Sequence, residues 1–121
     1  MKKTFWLSYD LGIKGDYEHL YIWLDKHEAV ECGDSVACFK YDVPVNLSDD
    51  EIIEQLKDDL MKSVNLDDNK WARIYCIRKD SQTNGVKGKF IIGNRKGNPW
   101  EGMACKDTDK VEEGENFISV S

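Results

Sequence analysis

Apolar and polar positions alternate over residues 4–9, with Phe5, Leu7 and Tyr9 on one face and Trp6, Ser8 and Asp10 on the other. Period two with aromatic enrichment predicts a half-buried strand. Gly12 and Gly15 then mark a turn, and Asp16 is a good helix N-cap. Behind it, Tyr17, Leu20, Tyr21 and Leu24 fall at i, i+3, i+4 and i+7, a stripe widened by Ile22 and Trp23. That spacing predicts an amphipathic helix ending near His27. Two short β-type runs, 29–32 and 35–41, flank Gly33-Asp34 and predict a hairpin with a tight primed turn. Pro44 ends the second run, because proline cannot donate to a ladder.

Ser48 followed by Glu51 is a capping box. The helix it opens buries Ile53, Leu56, Leu60 and Val64, with Ile52 beside them. Residues 71–77 alternate again: Ala72, Ile74 and Cys76 share one face, while Trp71, Arg73, Tyr75 and Ile77 share the other. A polar loop with Asn84-Gly85 at its tip precedes a further short strand at 89–92. The order strand, helix, strand, strand, helix, strand predicts an α+β fold. We expect a ferredoxin-like βαββαβ two-layer sandwich with an extra C-terminal strand. Residues 1–93 are expected to form that domain. Residues 94–121 are expected to make a polar C-terminal extension, with Trp100 able to fold back onto the domain.

Two helices cover one face of such a sheet and leave the other open. If Phe5, Leu7 and Tyr9 face the helices, Trp6, Ser8 and Asp10 face outward, and Tyr75 joins them. Exposed aromatic area on an open face points to a partner. The chain has 121 residues, the size of one domain, and no apolar run long enough to span a membrane. Its basic start, "MKKTFWLSYD", has too short an apolar core for a signal peptide, so a cytoplasmic protein with no membrane partner is expected.

Charge changes this picture in one place. The net charge is −6, which disfavours nucleic acid as a general partner. Yet residues 70–96 carry Lys70, Arg73, Arg78, Lys79, Lys87, Lys89, Arg95 and Lys96 against Asp80 alone. Such asymmetry suits an anionic or self-complementary partner. The four cysteines (Cys32, Cys38, Cys76, Cys105) form no C-x-x-C pair, and His19 and His27 lie eight apart, so no zinc pattern is present. An RNA-recognition strand would need an aromatic where "VKGKF" has Lys89, and the glycines match no phosphate-binding loop. No serine or cysteine has an identifiable base beside it. The candidate chemistry is therefore Asp10, a carboxylate at a strand end, as a catalytic group and Mg²⁺ ligand. Trp6, Ser8, Arg73 and Tyr75 are the candidate binding residues around it. One aspartate supplies only part of a magnesium site. A dimer across the open face would bring two together.

"TFWLSYDLG", "GDS" at 33–35 and "NPWEGM", with Trp100 and Gly102, resemble the small CRISPR-associated endonucleases of the spacer-acquisition complex. They also resemble their stand-alone relatives, among them the virulence-associated D toxins. The resemblance implies a homodimer whose late strand pairs with the partner subunit, and a divalent metal at the position of Asp10. Three readings follow. The first is a homodimeric interaction protein of that superfamily rather than an efficient enzyme. The second is a weak Mg²⁺-dependent nuclease or toxin using Asp10. The third is a small-anion or nucleotide binder on the open face, with Trp6 and Tyr75 stacking and Arg73 pairing the anion.

Overall fold

A computed structural model describes residues 1–66, 70–94 and 97–106. The elements run β1 (Lys2–Asp10), α1 (Tyr17–Lys26), β2 (Val30–Gly33), β3 (Val36–Asp42), α2 (Asp49–Ser63), β4 (Arg73–Lys79) and β5 (Val86–Ile92), then a short 3₁₀ turn at Met103–Lys106. All strand pairs are antiparallel, in the order β2-β3-β1-β4-β5. The chain is thus α+β, a five-stranded antiparallel sheet with two helices, compatible with a ferredoxin-like layout. Its central strand is β1, whose alternation buries Phe5, Leu7 and Tyr9.

The helices close over that buried face. Leu20, Trp23 and Leu24 of α1 meet Ile52, Ile53, Leu56 and Leu60 of α2 in one core with Phe39, Tyr41, Ile74 and Cys76. Tyr21, placed by spacing on the inner stripe of α1, is instead 53% exposed, and Trp23 goes inside. The larger indole fills the space above β3, edge-on to Phe39 at 5.3 Å between ring centres. Tyr21 lies at the rim and packs its ring on Tyr17 and Tyr9.

Both helix starts form as their residues dictate. Asp16 caps α1 by accepting from His19 N–H, and it also accepts from Asn65 N–H at 2.8 Å. This one carboxylate joins the start of α1 to the end of α2. Those donors hold its carboxyl below the usual range: the Asn65 N–H contributes most, against burial, with His19 helping. At α2 the capping box is complete, Glu51 N–H donating to Ser48 Oγ and Ser48 N–H to Glu51 Oε1.

Several boundaries differ from the pattern: the strand expected over 71–77 runs Arg73–Lys79 and leaves Trp71 exposed before it, and two turns move as well. The β2–β3 turn sits on Asp34-Ser35, one residue later than Gly33-Asp34, with Ser35 at φ 58. A register shift between Glu31 and Gly33 absorbs the extra residue and keeps Gly33 paired with Val36. The last strand begins at Val86 rather than at residue 89. The loop before it is closed by Asp80 N–H donating to the Gly85 carbonyl at 2.7 Å, so pairing starts with Lys79 and Val86.

Candidate functional site

The register aligns side chains on the open face in rows. One row runs Val30, Cys38, Trp6, Ile77, Gly88, a residue from every strand. The next runs Gly33, Val36, Ser8, Tyr75, Phe90. Together they make an apolar band, mostly half-buried, with no helix of the described residues above it. Gly88 is a required gap in that band: a Cβ there would meet the Tyr75 hydroxyl at 2.2 Å. The tyrosine ring therefore lies over the glycine, edge-on to Phe90 at 4.8 Å. Burial raises the Tyr75 phenol above its ordinary value, with nearby Cys76 adding to it, so the ring presents a neutral hydroxyl.

Beyond the second row stand Asp10 and Arg73, cross-strand partners on β1 and β4. Arg73 Nη2 donates to Asp10 Oδ2 at 3.2 Å, and Gly12 N–H donates to Asp10 Oδ1 at 3.0 Å. The carboxylate thus closes the turn after β1 and pairs with a guanidinium. Ser8, Asp10, Arg73 and Tyr75 line one open cleft of about 550 Å³, whose far wall is Phe90 and the segment at Asn98, Pro99 and Trp100. Four of the five residues singled out by pattern therefore meet. Trp6 stands in the neighbouring row, between Cys38 and Ile77, outside the cleft. Trp100 reaches the cleft yet stays 69% exposed.

The residues present do not fit a magnesium ion. Among the described residues Asp10 is the carboxylate of this cleft, each of its oxygens already accepts a hydrogen bond, and a cation stands 3.2 Å from one of them. Among the described residues, no group of three or more His, Cys, Asp or Glu side chains is placed to hold a metal. Of the basic segment, Arg73 and Lys79 face outward, whereas Arg78 shares the helix side with Ile74 and Cys76. Arg95 and Lys96 lie outside the described residues.

The pattern passed over two side chains. Phe90 belongs to the aromatic wall, and its signal was the alternation of Gly88 and Phe90 against Lys87 and Lys89. Arg78 lines a second cleft, near the start of α2, and its only sequence signal was a charge at a position that alternation assigns to the core. All four cysteines are free, with Cys76 buried and its thiol pushed up to about 12 by burial. No helix among the described residues is long and apolar enough to cross a membrane. No protein-family model, no curated protein and no solved structure matches the chain.

Proposed function

We propose that this chain is a non-catalytic interaction protein of ferredoxin-like topology that pairs with a second copy of itself through the open face of its sheet. The observation that carries the reading is the apolar band of Val30, Cys38, Trp6, Ile77, Tyr75 and Phe90, which no element of the described chain covers. The two ends of the band differ in charge: Lys40 and Lys79 stand at one end, and the Asp10–Arg73 ion pair at the other. An isologous pairing places the lysine end of each copy over that ion pair of its partner. Strand spacing and rise give the face roughly 500 Å² in projection, below the roughly 800 Å² per partner of a standard interface. A weak, concentration-dependent dimer fits that area.

The strand order and the Tyr9-Asp10 strand end support the likeness to the small CRISPR-associated endonucleases as a proposal about fold and pairing. The engaged carboxylate of Asp10 weighs against their metal chemistry, and the acidic net charge against nucleic acid. Free cysteines suit a reducing, cytosolic setting.

Sedimentation velocity across a concentration series, beside a Mg²⁺-dependent cleavage assay on RNA and DNA, tests the reading. We expect dimerisation in the micromolar range or weaker. Ile77→Asp should abolish it while the far-ultraviolet spectrum and thermal transition persist. A monomer up to about millimolar concentration removes the self-association reading. Cleavage lost in Asp10→Asn replaces it with the nuclease reading.

A further inference from the structure

We propose that the cleft between the first turn of α2 and the β4–β5 loop binds a small organic monoanion, a carboxylate on an apolar body, through Arg78. This site is distinct from the cleft at Asp10, although Trp6 of the open-face band also borders it. Arg78 follows Ile74 and Cys76 in the alternation of β4 and so stands on the helix side of the sheet. The cleft measures about 530 Å³, within the range of small-molecule sites. Phe5 and Ile52, both almost fully buried, supply its apolar lining.

Among the described residues, Arg78 and the Trp23 indole each have a buried nitrogen without a hydrogen-bond partner, and Arg78 is the charged one. Its Nη1 is sealed from solvent and meets no acceptor. Its cross-strand neighbours are Phe5, which is apolar, and Lys87, which carries the same charge. Among the described residues it forms no ion pair. Arg78 as a whole is half-buried, and its sealed nitrogen lacks the hydrogen bond that water would otherwise supply; an anionic acceptor from outside removes that deficit.

The carboxylates of the cleft are not available to it. Asp49 accepts from Lys3 Nζ at 3.3 Å and from the Ser81 N–H and hydroxyl at 3.1 and 3.0 Å. Asp80 accepts from the Thr83 N–H and hydroxyl, with Lys87 Nζ 3.8 Å away. These bonds also hold the loop against α2, so the cleft wall is built before any ligand arrives. Lys79 also borders the cleft, although its side chain belongs to the outward alternation of β4, and the first turn of α2, with Asp49, lines the other side. The two fixed carboxylates set an upper limit on ligand charge. A dianion such as phosphate would be repelled by both, whereas a monocarboxylate needs only the one guanidinium. The apolar lining then selects for a ligand with a hydrocarbon body.

The test is a titration of the ¹⁵N-labelled full chain with phenylacetate, phenylacetamide and inorganic phosphate. We expect saturable shifts of the Lys79, Ser81 and Asn84 amides with phenylacetate. The uncharged amide and phosphate should bind about tenfold more weakly or worse. Arg78→Met should lower phenylacetate affinity by about tenfold or more with a dispersed spectrum, and Arg78→Lys by less. The comparison of phenylacetate with phenylacetamide needs no variant, so it stands even if Arg78→Met fails to fold. The proposal is overturned by the absence of saturable shifts at the cleft. Equal affinity for phenylacetamide or for phosphate overturns it too, as does an Arg78→Met affinity within about twofold of wild type.

Discussion

At Asp10 each carboxylate oxygen has one donor, Gly12 N–H on one side and the Arg73 guanidinium on the other. The first bond forms an Asx turn, in which a short side chain stands in for backbone. The second is an ion pair between groups that are 34% and 58% exposed, where solvent screening leaves little net energy. Asp10→Asn keeps an oxygen for Gly12 and loses the ion pair. Its unfolding free energy in urea should fall by less than about 1 kcal/mol. A fall of several kcal/mol would show that the pair is a structural clamp rather than a turn closure. Alternation alone put Asp10, Ser8 and Trp6 on one face, because strand geometry leaves no other arrangement. It did not reveal Arg73 as the partner of Asp10, which depends on how β4 pairs with β1 across more than sixty residues.

Whole elements depend on register in the same way. Tyr75 can lie flat over β5 only because its neighbour in the next row is a glycine, and that pairing exists only with β5 beginning at Val86. Gly88→Ala puts a methyl group within 2.5 Å of three atoms of the Tyr75 side chain. The ring must swing away and lose its edge contact with Phe90. We expect a destabilisation of about 1–2 kcal/mol in a thermal melt, with displaced Tyr75 ring resonances. An unshifted Tyr75 would mean that the strand itself moves instead. The helices depended far less on context. Ser48, Glu51 and the buried stripe of α2 formed as their residues specified, since caps and i, i+4 contacts are local. The β2–β3 turn was displaced by one residue, because a bulge costs little beside the burial of Ala37 and Phe39 that it preserves.

Across the molecule, Asp49 ties three distant segments together: Lys3 of β1, its own helix α2, and Ser81 after β4. Its side chain is 14% exposed. Burial alone would raise the carboxyl. The Ser81 N–H and hydroxyl and the Lys3 ammonium outweigh it and bring the carboxyl from 3.8 down to about 2. A folded value below the unfolded one means the charged form is favoured by folding. The stabilisation is complete above about pH 4 and is lost as pH falls from 3.8 through 2. It amounts to about 2 kcal/mol. Asp49→Asn should lower stability by up to that amount at neutral pH, and the two proteins should converge near pH 2 in acid titrations followed by circular dichroism. Curves that stay parallel would place the acid sensitivity elsewhere.

By itself the sequence determined the elements, their buried faces and the α+β class, because alternation, helical spacing and caps are set within a few residues by backbone geometry. Tertiary structure alone decided that Trp23 rather than Tyr21 enters the core and that Arg73 neutralises Asp10. It also decided that Arg78 is left without an acceptor beside Phe5. Each of those outcomes depends on which strands lie side by side and in what register, and that is settled only when the whole core closes.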